Sequence, residues 1–105
     1  EAWENLDEII AVDHIDVFFV APGDFAASMG HVRDMHHPDV QAKVDDALSR
    51  IISAGRIAGT LATSETIERY SAMGVRFFYV EIQPWLEAGA RDLMARGEAG
   101  RQRGQ

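Results

Sequence analysis

An α/β fold with a parallel sheet is the class this 105-residue sequence predicts, on three observations. Helix-spaced apolar stripes alternate with short runs of apolar residues, the connections are short, and the runs are apolar on both faces. The order read along the chain is α-β-α-β-α-β-α, with right-handed crossovers between neighbouring strands.

Each element follows from local pattern. In AWENLDEIIAV, Trp3, Leu6, Ile9 and Ile10 fall on one helical face, with Glu4, Asp7 and Glu8 opposite. The run Val17 to Ala21 reads as the first strand, ended by Pro22 and Gly23. A loop of small and polar residues follows. Pro38 suits a first helical position, Val40, Val44, Leu48, Ile51 and Ile52 make one stripe, and Gly55 is a stop. Ile57 to Ala62 reads as a second strand weakened by Gly59. Thr63 and Ser64 are capping types, and Glu65 suits the positive end of a helix carrying Ile67, Tyr70 and Met73 up to Gly74. VRFFYVEI, residues 75–82, is the strongest strand pattern. Pro84 then opens a helix expected to turn Leu86, Ala90, Leu93 and Met94 inward. The tail GEAGRQRGQ has no apolar anchor, so residues 98–105 are expected to be flexible.

Composition narrows the function classes. Ten Lys and Arg against 17 Asp and Glu give a formal net charge of -7, unsuited to nucleic acid or an anionic membrane surface. No cysteine is present, which excludes disulfides, thiolate metal sites and a cysteine nucleophile, and suits a cytoplasmic setting. The apolar runs are too short to span a bilayer, and no signal-peptide pattern opens the chain.

Chemistry in parallel α/β folds collects at the carboxyl ends of strands. The first strand runs into APGDFAASMG, residues 21–30, where Gly23 permits close approach to the backbone and Asp24 offers a carboxylate. The N–H groups of Gly23 and Asp24 could face an anion, with a divalent cation between that anion and Asp24. On spacing alone Asp24 reads more readily as a cap for a following helical turn. Ser28 and Met29 read as loop packing. His31, His36 and His37 cluster with Asp34, but their spacing matches no closed zinc motif and adjacent histidines seldom share an ion, so a polar loop is expected.

The stretch IDVFFVAPGDFAASMGH resembles the strand-and-loop signature of the metal-dependent (class II) 2-oxo-acid aldolases, which include 2-dehydro-3-deoxyglucarate and 4-hydroxy-2-oxoheptanedioate aldolases. Pro22, Asp24, Ala27-Ser28-Met29-Gly30, His31 and His37-Pro38-Asp39-Val40 match that pattern in order. The resemblance runs over about residues 1 to 96. It implies the last three βα units of a (β/α)8 barrel over residues 1–97, in a family that assembles as hexamers. It further implies an aldolase that cleaves a 4-hydroxy-2-oxo acid to pyruvate, or a related 2-oxo acid, and an aldehyde. Asp24 would be a ligand of Mg2+ or Mn2+, and the Gly23 and Asp24 amides would hold the substrate carboxylate.

Departures accompany the match. Ala21 stands for the usual Gly, Phe25 for Leu, Glu81 for Gly and Gln83 for Asp. The family's second carboxylate ligand, base-forming His and enolate-stabilising Arg belong to earlier strands, so no catalytic residue is identifiable in residues 1–105. Glu1 and Glu4 fall in a helix and do not take the ligand's place. A barrel of this kind needs ~250 residues; the chain is therefore expected to be incomplete, inactive in isolation, and prone to associate. Two alternatives stand beside this reading: a citramalyl- or malyl-CoA-type lyase of the same superfamily, and a non-catalytic half-barrel assembly module.

Overall fold

The computed structural model describes residues 1–104. A three-stranded parallel sheet in the order β1-β2-β3 is built from β1 (Phe18–Val20), β2 (Ala58–Leu61) and β3 (Phe77–Tyr79). The helices are α1 (Leu6–Ile10), α2 (Pro22–Ser28), α3 (Pro38–Ser53), α4 (Ile67–Met73) and α5 (Gln83–Arg103). The expected alternation is present, with one helix more: α2 forms inside the segment read as a loop. Pro22 sets the helical φ there, and Ala26 and Ala27 carry it on.

The core lies between α3 and one face of the sheet. Val40, Val44, Ala47 and Leu48 of α3 are fully buried, with Ile51 nearly so. They meet Phe18 and Val20 of β1 and Ala58 of β2. The stripe works because its spacing keeps one side of a 16-residue helix against the sheet. On α1, Leu6 and Ile10 complete the core, and its surface is tied to α3 where Arg50 Nη2 donates to Asp7 Oδ1 at 2.7 Å. Arg56, just after α3, donates to the carbonyls of Ile10 (2.7 Å), Val12 (3.1 Å) and Ile15 (3.0 Å) and lies over the Phe18 ring. One guanidinium thus fixes the whole path from α1 to β1.

The other face of the sheet is uncovered. Phe19 and Phe77 meet edge-to-face at 6.3 Å across Gly59, with which both are in register. A Cβ on Gly59 would lie 3.0 Å from the Phe77 ring and 3.1 Å from its carbonyl oxygen. Gly59, read from sequence as a weakness, is therefore what lets β3 approach.

Three expectations change. The third strand shortens from residues 75–82 to Phe77–Tyr79, because it is an edge strand with no cover over Phe77, Tyr79, Val80 and Ile82. α5 buries no residue at all: Leu86, Leu93 and Met94 are 64 %, 71 % and 75 % exposed, against the expected inward packing. The flexible tail expected at 98–105 is helical through Arg103, held by local pairs such as Gln102 with Glu98; Gln105 lies outside the described residues. With α5 projecting, the chain measures 67 × 28 × 20 Å.

Leu48→Ala is expected to cost about 2–5 kcal/mol, from lost burial and a cavity against the sheet, as read by urea unfolding. Burial of the Tyr70 hydroxyl pushes its pKa up. The folded chain then keeps a proton that the unfolded chain releases, so this contribution is intact below about pH 10 and fades as pH rises toward the folded value. Tyr70→Phe should flatten the fall in stability above about pH 10.

Candidate functional site

β1 hands over to α2 at the carboxyl end of the sheet. Thr60, the one buried polar residue in the described core, donates its hydroxyl to the Val20 carbonyl at 2.9 Å. That bond fixes the last residue of β1 against its neighbouring strand. Ala21 follows in extended conformation, Pro22 occupies the first helical position, and Gly23 and Asp24 come next. Asp24 does not cap α2, since Ala21 is the N-cap and no side chain caps the helix; it is an acidic residue in the first turn, just past the strand's end.

The two amides differ. The Asp24 N–H donates back to the Ala21 carbonyl at 3.2 Å, whereas the Gly23 N–H has no backbone partner. Only the Gly23 amide is open to an incoming anion. The Asp24 carboxylate is exposed and carries no protein hydrogen bond. It lines a cleft of about 530 Å3 with Trp3, Phe19, Ala21, Phe25 and Lys43. The Lys43 ammonium lies 4.7 Å from the Trp3 ring centroid, which brings a cation to the cleft that sequence spacing did not flag. Glu1 and Glu4 also line this cleft.

Glu81 falls elsewhere, in a second cleft of about 310 Å3 where β2 and β3 end, with Thr63, Ser64, Glu65, Pro84 and Trp85. Trp85 and Tyr79 are more than half exposed, so neither is a core residue of this chain; Trp3 packs against the core with its indole N–H buried and unpaired.

The histidine segment folds differently from its sequence reading. His31 and His37 stack, with ring centroids 3.7 Å apart and planes 15° off parallel. His37 caps α3, its Nδ1 accepting the Asp39 N–H at 3.2 Å, and the Asp39 carboxylate lies 3.8 Å from the same nitrogen. His31, His37 and Asp39 form the one three-residue group of potential ligands among the described residues; His36, Asp34 and Asp24 are outside it. Asp39 escaped the sequence reading because helix formation at Pro38 is what turns it back toward His37. The segment lies over the site, as Met35 Sδ would be 3.6 Å from a Cβ on Gly23.

Residues 1–78 match the family described as HpcH/HpaI aldolase/citrate lyase. The chain is 46% identical over 95 residues to a hydroxypyruvate/pyruvate aldolase of Roseovarius nubinhibens, covering 89% of this chain and 37% of that protein. It is 41% identical over 98 residues to a 4-hydroxy-2-oxo-heptane-1,7-dioate aldolase of Klebsiella pneumoniae, covering 91% and 37%. The crystal structure of an HpcH/HpaI aldolase/citrate lyase family protein from Burkholderia cenocepacia superposes with a TM-score of 0.81 at 28% identity, covering 91% and 38%. The chain thus spans under two fifths of the length of these relatives. No helix among the described residues is long and apolar enough to cross a membrane.

Thr60→Val, nearly isosteric, removes the hydroxyl's bond to the Val20 carbonyl. It should cost about 0.5–1.5 kcal/mol in urea unfolding, and exchange of the strand-end amides should quicken.

Proposed function

The chain belongs to the HpcH/HpaI aldolase/citrate lyase family, and on that premise we propose that the protein reversibly cleaves a 4-hydroxy-2-oxo acid to pyruvate, or a related 2-oxo acid, and an aldehyde. The observation that carries this reading is the position of Asp24: an unpaired carboxylate just past the end of β1, beside the open Gly23 N–H, on the wall of a cleft. Relatives that bear names of this kind, a hydroxypyruvate/pyruvate aldolase and a 4-hydroxy-2-oxo-heptane-1,7-dioate aldolase, support it. So does the parallel β/α order.

In this reading residues 1–97 are three βα units of a (β/α)8 barrel, and the sheet face bearing Phe19, Phe77 and Tyr79 is turned to its interior. The reaction breaks the bond between C3 and C4, leaves the electron pair on C3 as an enolate, and takes the proton of the 4-hydroxyl to free the aldehyde. The Gly23 N–H serves the 2-oxo acid's carboxylate, and Lys43 adds positive charge to the same cleft. No residue of this chain is assigned as the base. The resemblance implies Mg2+ or Mn2+, and an exposed carboxylate is the right kind of oxygen donor for either. Asp24 is outside the one three-residue ligand group, so these residues supply a single ligand rather than a complete site. The isolated 105-residue chain is therefore inactive in this reading, and the whole protein acts as a soluble cytoplasmic homo-oligomer.

The test is aldol cleavage and condensation by the full-length protein. Asp24→Asn should lower kcat/KM at least about a hundredfold with unchanged circular dichroism. A chelator should abolish activity and Mg2+ or Mn2+ restore it. Retained activity in Asp24→Asn overturns the assignment of this site.

A further inference from the structure

The Gly23 N–H and Lys43 serve the 2-oxo acid end of the substrate, and the aldehyde end is so far without a partner in this chain. We propose that Glu81 selects the aldehyde: its carboxylate, on the wall of the second cleft, admits neutral aldehydes and turns away those that carry a carboxylate of their own. The proposal rests on the aldolase reading and names the aldehyde class for that same site.

Three features of the sheet's carboxyl edge carry the inference, and the first is register. Val20, Thr60 and Phe78 stand in one row across the three strands. Gly23, Thr63 and Glu81 each follow that row by three residues. Neighbouring strands lie about 4.7–4.9 Å apart, so the chain at Glu81 leaves the same edge about 10 Å from the chain at Gly23. The aldehyde carbon is C4 of the 4-hydroxy-2-oxo acid. A four-carbon aldehyde therefore places its far carbon six bonds from the 2-oxo acid's carboxylate carbon, at most about 9 Å away. A substrate lying along the edge with its carboxylate at Gly23 thus brings that far end to the second cleft.

Anchoring is the second feature. The Ala62 N–H donates to the Tyr79 carbonyl at 3.0 Å, which holds the last residue of β3 against the end of β2. Ile82 is the N-cap of α5, and its carbonyl accepts from the Trp85 N–H at 3.0 Å and the Leu86 N–H at 3.1 Å. Glu81 stands between these two fixed points, so its backbone keeps one position at the cleft.

Charge is the third. Glu81 and Glu65 both line the second cleft, and no Lys, Arg or His lines it. Neither carboxylate has an ion-pair partner among the described residues. The Thr63 side chain holds the Glu65 carboxyl below its usual pKa, with a smaller pull from His36. The first cleft has the opposite equipment for its ligand, Lys43 and the open Gly23 N–H. One end of the edge takes an anion and the other repels one. Leu61, Val80 and the Trp85 ring complete the second cleft with apolar surface that suits a neutral carbon chain.

Condensation of pyruvate with two aldehydes of equal length, by the full-length protein with Mg2+ or Mn2+, tests the proposal. Butyraldehyde is neutral, whereas succinic semialdehyde ends in a carboxylate. The parent should favour butyraldehyde in kcat/KM by at least about tenfold. Glu81→Gln keeps the shape and removes the charge. It should raise kcat/KM for succinic semialdehyde at least about fivefold, and leave butyraldehyde and the KM for pyruvate within about twofold. Glu81→Lys should carry the preference further toward succinic semialdehyde. A parent without a preference for butyraldehyde, or a preference that Glu81→Gln and Glu81→Lys both leave unchanged, overturns the proposal while the aldolase reading stands. Absence of turnover with either aldehyde overturns the aldolase reading and this proposal with it.

Discussion

Everything in this chain depends on the burial of one helix face. α3 places Val40, Val44, Ala47, Leu48 and Ile51 out of water against β1 and β2, and among the described helices it alone buries so continuous a stripe. α1 joins that core through Leu6 and Ile10, and α4 through Tyr70. Arg56 then laces the segment after α1 to the junction of α3 and β2. Hydrophobic area provides the driving force, while the guanidinium selects one path for the chain among those that area alone would allow.

The site is a consequence of how that core terminates. Thr60 reaches from β2 to hold the last carbonyl of β1, and Pro22 starts a helix two residues later. The backbone is left no slack between a pinned strand and a rigid first turn, so the Gly23 amide and the Asp24 carboxylate emerge at a defined place. The loop at 31–37 returns over this turn, which couples the order of the histidine cluster to the surface beside Asp24.

Much of this was legible in the residues. Pro38, the stripe from Val40 to Ile52 and the stop at Gly55 marked α3 closely, because a long amphipathic pattern has one low-energy solution. Gly74, at a φ of 104°, ended α4 as read. APGDFAASMG was harder: Gly, Pro and Ser signal loop and helix start alike, and seven residues hold too few apolar positions to show a period. The strand at 75–82 was overread, because its apolar content records a capacity for burial that this chain does not fill. The same holds for Leu86, Leu93 and Met94 on α5, whose stripe is real but faces water. The histidines went the other way: proximity in sequence groups His31, His36 and His37 with Asp34, whereas proximity in space keeps His31 and His37 and adds Asp39.

The sequence by itself determined the alternation of helices and strands, the identity of the main core stripe, the family and the candidate carboxylate. Those properties are written in local spacing and in residue types that need no distant partner. Tertiary structure alone decided which apolar faces are covered, why Gly59 must lack a side chain, which of the two site amides is open, and which histidines meet. Each of those depends on a contact between segments far apart in the chain, as Phe77 against Gly59 and Thr60 against Val20 show, or on a turn that reverses its direction. Burial and close approach are properties of pairs of surfaces, and a periodic pattern describes only one of the two.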